Sequence, residues 1–252
     1  MTSPWRWERG VLFACTGRKY ILAGIRAAKS VRKHNPGLPI ALFADWQAQG
    51  FSMEELGKTF DLVEGIDNPH RRSKVDLLER TPFERTLYLD TDTEVLEKID
   101  DLFGVLDRFD MAVAHAMKRN FARRMVTWRV KLPMAFPQFN SGVMLYKANP
   151  AVLAFLRQWS EAFHSAGFDN DQTSLRELLW LSDLRFTVLP PEYNVRYMKY
   201  VRFWGKEEAT PKILHMQKFH DHPAGLALKH FGRSVLGWIR KIGFDPKPKR
   251  KK

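Results

Sequence analysis

A single cysteine, Cys15, stands in this chain of 252 residues. No internal disulfide can staple it, and the expected compartment is a reducing cytoplasm. Apolar runs such as Val11–Cys15 fall far short of the ~18 residues a membrane span needs. The opening Met1-Thr2-Ser3-Pro4-Trp5-Arg6-Trp7-Glu8 lacks the continuous apolar core of a secretory signal, so export by that route is not expected. Repeats and clear linkers are also missing. Acidic residues are few: 28 Asp and Glu face 41 Lys and Arg, giving a net charge of +13 and a pI near 9.9. What is present is ordinary for a folded protein. Hydrophobic residues make up 44% and charged residues 27%, which excludes disorder, collagen and coiled coil as the overall class. At roughly 150 residues per domain the length allows one large domain or two small ones, with a full core.

The positive excess concentrates at the end. From Lys229 onward, Lys229, Arg233, Arg240, Lys241, Lys247, Lys249, Arg250, Lys251 and Lys252 face Asp245 alone. Such a field favours negatively charged partners: nucleotide diphosphates, phospholipid headgroups or nucleic acids.

Hydrophobic patterning predicts an α/β chain. Gly10–Thr16 reads as a buried strand. Tyr20–His34 reads as a helix with Arg26, Lys29, Arg32 and Lys33 on its polar side, stopped by Asn35-Pro36-Gly37. Leu38–Ala44 is a second strand, and strand, helix and strand in that order imply a parallel sheet. A weak helix at 53–58, a strand at 60–63 and a helix at 73–80 follow. Thr86–Leu89 is another buried strand. The pattern then predicts a helix over 100–109, a strand over 111–114 and a basic stretch over 118–131. Asn140-Ser141-Gly142 reads as a polar turn feeding the strand 143–146. Helices are predicted over 151–166 and 169–181, the second capped by its acidic turn, and strands over 186–189 and 212–215. The whole reads as one domain over 1–225 with a basic extension over 226–252.

Asp90-Thr91-Asp92 stands directly after the buried strand. Residues i and i+2 of an extended backbone project to one side. Two carboxylates at the mouth of a parallel strand therefore point into the crevice where α/β sheets bind ligands. Their mutual repulsion is relieved by a divalent cation, and Mg²⁺ or Mn²⁺ is commonly held jointly by carboxylates and substrate phosphates. The bland alternative is a pair of turn-capping aspartates. A second such pair, Asp169-Asn170-Asp171, does not follow a strand.

Several further pieces occur in a recognisable order: Leu12-Phe13-Ala14-Cys15-Thr16 with Tyr20, Lys74, Leu87-Tyr88-Leu89-Asp90-Thr91-Asp92, Phe139-Asn140-Ser141-Gly142-Val143, Asp171-Gln172 and Ile213-Leu214-His215. Together they resemble the metal-dependent glycosyltransferases of the GT-A fold, nearest the family 8 group of glycogenin-like and lipopolysaccharide galactosyltransferases. The likeness runs from Val11 to about His215. It implies a Rossmann-like, mixed and mainly parallel sheet flanked by helices. It implies that Ala14, Cys15, Thr16, Tyr20 and Thr91 hold the nucleoside, and that Lys74 reaches the sugar or diphosphate. Asp90, Asp92 and His215 would bind Mn²⁺ or Mg²⁺, while Asn140, Asp171 and Gln172 would contact the donor sugar. The implied reaction moves a sugar, with retention, from a nucleotide-diphosphate sugar (a UDP-sugar is expected) to a glycan or lipid-linked acceptor. Two departures stand out. Thr16-Gly17 replaces the acid that usually ends the first strand. Met216-Gln217-Lys218-Phe219-His220-Asp221 replaces the family's Gly-x-x-Lys-Pro-Trp, leaving Lys218 as the candidate phosphate contact.

Other features carry less. Cys15 reads as a small buried hydrophobe, and His220 and His222 as solvated loop imidazoles. The basic stretch over 118–131 either flanks an anionic acceptor or is a solvated loop. Leu228, Phe231, Val235, Trp238, Ile239 and Ile242 fall on one side at helical spacing, and with the polybasic tail they suggest peripheral docking on an anionic inner membrane face. Two other functions fit the charge and fold class: a sugar-1-phosphate nucleotidyltransferase, and a non-enzymatic basic module binding nucleic acid or membrane. The first normally opens with a Gly-rich triphosphate loop that Ala14-Cys15-Thr16-Gly17-Arg18 lacks. The second wants a basic stripe with stacking aromatics, so no nucleic-acid partner is expected.

Overall fold

The computed structural model describes residues 5–118, 125–201, 204–205 and 207–220. The amphipathic and polybasic segment 226–252, His222, and Arg119, Arg123 and Arg124 of the basic stretch lie outside them. Among the described residues, no helix is long and apolar enough to cross a membrane.

The chain opens β1 (Trp7–Cys15), α1 (Arg18–His34), β2 (Ile40–Ala44), α2 (Met53–Gly57), β3 (Leu62–Gly65) and α3 (Lys74–Leu77). It continues β4 (Phe83–Leu89), β5 (Thr93–Val95), α4 (Leu102–Val105), β6 (Met111–His115) and β7 (Phe139–Lys147). It closes with α5 (Pro150–Ala166), α6 (Asp171–Leu181), β8 (Phe186–Leu189), α7 (Met198–Val201) and β9 (Ile213–His215). Seven strands form one sheet in the order β3-β2-β1-β4-β7-β6-β8, and β5 pairs with β9 apart from it. The large sheet is mixed and mainly parallel: only β7 runs antiparallel to both its neighbours. The whole matches the GT-A architecture that the resemblance implies.

Period-two alternation builds two cores. Val11, Phe13 and Cys15 of β1 face α1, together with Leu87 and Leu89 of β4. Leu12 and Ala14 point to the other face, where Val152, Phe155, Leu156 and Trp159 of α5 and Leu175 of α6 pack. Because strands buried on both faces need apolar residues throughout, they appear in sequence as short continuous runs.

Four expectations need correction, and one strand was not foreseen. Asn140-Ser141-Gly142 is not a turn but part of β7, all of it buried from Phe139 to Tyr146. Its small and polar side chains suit a turn, yet they bond with groups of the site. The helix expected over 100–109 shrinks to the single turn of α4. Thr93–Val95 was not foreseen as a strand, because three residues carry no periodicity and β5 is defined only by pairing with β9. Asn170, rather than an acid, caps α6 by accepting from Gln172 N. Arg26 is not on a polar face: it is 7% exposed.

Candidate active site at the end of the fourth strand

Parallel β1 and β4 bring Cys15-Thr16-Gly17 and Asp90-Thr91-Asp92 to one end of the sheet. Antiparallel β7 sets Leu89 opposite Val143, so the start of that strand, Asn140 to Gly142, arrives at the same end. The small sheet completes the site. Thr93 of β5 pairs with His215 of β9, which puts His215 Nε2 at 2.9 Å from Asp92 Oδ1 and 3.7 Å from Asp90 Oδ2. Ligand atoms of Asp90, Asp92 and His215 lie within 4.8 Å of one another.

The imidazole is fixed from behind. Asn194 Nδ2 donates to the His115 carbonyl at 3.5 Å, which turns Asn194 Oδ1 to accept from His215 Nδ1 at 2.7 Å. The Nδ1 proton is thereby committed and Nε2 faces the carboxylates. A bare Nε2 lone pair would repel them, so a positive species is required between: a proton or a metal ion. With the proton, burial disfavours the Asp92 charge, but His215, then His220 and Arg196, outweigh it and hold the carboxyl well below the usual range. Two carboxylates and one imidazole are also a donor set suited to Mn²⁺ or Mg²⁺. The residues therefore fit the implied metal.

Gly142 is required by closeness. A methyl group on its Cα would overlap the His215 ring and the Asp90 carboxyl. Its carbonyl accepts from Asp90 N at 2.8 Å, tying the start of β7 to the aspartate loop. Tyr88 donates to Asp90 Oδ1 at 2.7 Å.

Lys74 joins the two acidic parts of the site. It is 6% exposed. Its ammonium lies 3.1 Å from Asp90 Oδ1 and 3.4 Å from Asp171 Oδ2, and it donates to Ser141 Oγ at 3.0 Å. Burial alone would lower its pKa, but Asp171 and Asp90 outweigh burial and raise it. Asp171 is likewise disfavoured as a charge by burial, but Lys74, Arg72 and Ser141 keep its carboxyl below the usual range. Asp171 Oδ1 has Arg72 Nε at 3.4 Å but no hydrogen bond, and is a buried acceptor left over. Asn140 and Gln172 are also buried beside this group; Asn140 Oδ1 accepts from Gly142 N at 3.3 Å.

Ala14 and Cys15 are 8% exposed at the end of β1. Burial, with Asp45 nearby, pushes the Cys15 thiol far up, so it is an inert hydrophobe rather than a nucleophile. Thr16 Oγ1 donates to His70 O at 3.1 Å. Gly17, in the left-handed region, donates its N–H to Asp45 Oδ1 at 2.8 Å. An acid that follows β2 thus stands beside Thr16-Gly17, where the first strand has none of its own. Tyr20 meets His220 edge to face at 4.8 Å, and His220 Nε2 lies 3.0 Å from Thr91 Oγ1. His220 is therefore a packed, bonded residue and not a solvated loop imidazole. Lys218 is exposed on the 3-10 turn Gln217–His220.

Two neighbouring groups are structural. His70, Asp76 and His164 could hold a metal by proximity. However, Asp76 accepts from Ser160, from His164 at 2.8 Å and from His70 Nε2 at 2.5 Å, while His70 Nδ1 accepts from Arg72 N at 3.2 Å. Both His70 nitrogens are committed, and the group clasps α3 to α5. The described end of the basic stretch is a loop with Arg129 and Lys131 exposed, held in place through its backbone. Glu177 accepts from the amides of Trp128, Arg129 and Val130, and Arg176 donates to Pro133 O and Phe136 O.

Sequence reasoning found the triad, but missed Asn194, Tyr88, Asp45 and Arg26. For Tyr88 the signal was available, since it stands two residues before Asp90, near the end of β4. For Asn194, inside Pro190-Pro191-Glu192-Tyr193-Asn194, there was none.

The family described as nucleotide-diphospho-sugar transferase matches residues 85–226, more than half of the chain. No curated protein matches the sequence. Among solved structures, the glycosyltransferase GlyE of Streptococcus pneumoniae superposes with a TM-score of 0.58 at 20% identity, over 97% of this chain and 67% of that one. Mouse xyloside xylosyltransferase 1 gives 0.57 at 16% identity, over 86% and 100%. The galactosyltransferase LgtC, solved with donor and acceptor sugar analogues, gives 0.58 at 14% identity, over 92% and 99%. At such identities these likenesses establish the fold.

Proposed function

The chain belongs to the nucleotide-diphospho-sugar transferase family and is a glycosyltransferase, and from that premise we propose that it works with a divalent cation, Mn²⁺ or Mg²⁺, held by Asp90, Asp92 and His215. The observation that carries this reading is His215 Nε2 turned onto both carboxylates by the Asn194 bond at its far nitrogen. When bound, the cation supplies charge neutralisation for the departing diphosphate.

The remaining work falls to the chain itself. The donor is a nucleotide-diphosphate sugar, with UDP as the expected nucleotide. Ala14, Thr16, Tyr20 and Thr91 line the nucleoside side, and Lys218 is the exposed cation for the phosphates. Asp171 offers its leftover Oδ1, with Asn140 and Gln172 beside it, to hold sugar hydroxyls by hydrogen bonds, which is positioning rather than proton transfer. Lys74 acts chiefly by holding Asp90 and Asp171 in register; with so little exposure it reaches the donor only through them or at short range. Transfer proceeds with retention to a glycan or lipid-linked acceptor. The acceptor hydroxyl oxygen bonds to the anomeric carbon, the bond from that carbon to the diphosphate breaks, and the acceptor proton goes to the leaving diphosphate, so no protein base is needed.

A panel of nucleotide sugars assayed with Mn²⁺ and with chelator tests the donor and metal assignments. Metal-dependent release of a nucleoside diphosphate from one of them is expected, and equal release under chelator contradicts the metal. Product-anomer NMR tests the stereochemistry, and inversion contradicts retention.

A further inference from the structure

Arg26 has no part in the site as described so far, yet it is one of the few buried cations among the described residues. Its Nη1 donates to the Phe219 carbonyl at 2.6 Å. Its Nη2 donates to the carbonyls of Thr91 at 3.2 Å and Thr93 at 3.4 Å. The guanidinium carbon lies 4.3 Å from the centre of the Phe219 ring. Burying an arginine is costly unless its donors are used. Here Nε is left without a hydrogen bond, but both terminal nitrogens are spent on backbone oxygens of two segments remote in sequence from α1, which only a rigid planar fork can serve at once.

Those two segments are the ones that make the site. Thr91 stands between the metal-ligating aspartates, and drawing its carbonyl and that of Thr93 onto one nitrogen fixes the turn that aims Asp90 and Asp92 together. Phe219 stands in the 3-10 turn Gln217–His220, which follows His215 and carries Lys218. His220, in the same turn, closes the loop against Thr91 Oγ1. A shift of either segment is therefore felt by the other through one side chain.

We infer that Arg26 is a positioning residue that couples divalent-cation binding to nucleoside-diphosphate binding, by clamping the aspartate loop and the turn 217–220 as one unit. The inference rests on the metal and donor reading above. The rival account is a brace that merely keeps α1 on the sheet.

The test measures the affinity of the full chain for UDP with and without Mn²⁺, by titration calorimetry, in the wild type, Arg26→Lys and Arg26→Met. The ratio of the two affinities is the coupling, and thermal melts report folding separately. The wild type is expected to bind UDP more tightly with Mn²⁺. Arg26→Met is expected to lose about tenfold or more of that ratio, the range seen when partners that orient metal ligands are removed, with metal-free UDP binding little changed. Arg26→Lys keeps the charge without the fork and is expected to fall between. A ratio equal to wild type in the variants, whatever their melting temperatures, overturns the inference while leaving the metal reading standing. Should Arg26→Met fail to fold, Arg26→Lys decides alone: an unchanged ratio overturns the clamp and a reduced one supports it. If the wild type itself shows no Mn²⁺ effect on UDP, the metal reading falls and the coupling falls with it.

Discussion

Asp92 Oδ1 and His215 Nε2 lie 2.9 Å apart because Thr93 and His215 are paired across a two-stranded sheet only three residues long on each side. The candidate ion site is thus made by backbone register, and the side chain behind it, Asn194, finishes the aim. Replacing Asn194 by Ala is expected to weaken Mn²⁺ binding by about 10–100-fold, read from free Mn²⁺ by electron paramagnetic resonance. Asn194→Asp keeps an acceptor for Nδ1 and is expected to recover most of it. Wild-type affinity in Asn194→Ala would show that the far nitrogen does not set the ligand.

Gly142 gives a steric test. In Gly142→Ala the added methyl meets His215 and Asp90, and neither can retreat without leaving the other. Overpacking of this kind costs about 1–3 kcal/mol. Turnover is expected to fall far more than stability, because the loss is one of ligand geometry. Chemical denaturation and a transfer assay on the same sample check both, and undiminished turnover would mean that the strand start is looser than described.

Lys74→Met removes the one cation among the described residues that pairs with both Asp90 and Asp171. Asp171 is then left with Arg72 and the Ser141 hydroxyl. Breaking a buried charge network from one side costs about 3–5 kcal/mol, so the urea midpoint is expected to drop by that equivalent. A loss below about 1 kcal/mol would contradict a folding role for Lys74, because exposed pairs contribute no more than that.

Acid stability follows from Asp76. Burial raises its pKa, but hydrogen bonds from Ser160, His70 and His164 outweigh burial and lower it in the folded state. A depressed carboxyl stabilises fully above its unfolded value of ~3.9 and loses that contribution as pH falls through the folded value. The melting temperature of Asp76→Asn is therefore expected to lie below wild type at pH 6. The gap should close as the pH drops below about 4. A gap that persists or widens in acid would contradict the clasp.

Much of the fold was legible because its strands are buried on both faces. Val11–Cys15 and Leu87–Leu89 appear as uninterrupted apolar runs. The β7 start was misread for the converse reason. Asn140 and Ser141 sit in a strand interior because the site gives their polar groups partners, which a local reading cannot see. Arg26 was misplaced because its acceptor Phe219 is 193 positions away. The small residues around it, Ala23, Gly24 and Ala27, were the only hint that this side of α1 packs closely. Asp90, Asp92 and His215 were found through family resemblance added to position. The family match then decided for a sugar transferase over the nucleotidyltransferase and the basic binding module.

Turnover of the preferred nucleotide sugar by the wild type and by Asp92→Ala, each with Mn²⁺ and with chelator, addresses the central claim most directly. Wild-type turnover should require the metal. Asp92→Ala should lose at least about a hundredfold in rate, consistent with the several kcal/mol a bound cation supplies, while its melting curve shows a folded protein. Full activity of Asp92→Ala, or of the wild type under chelator, would contradict the assignment of Asp90, Asp92 and His215 as the ion site of this glycosyltransferase.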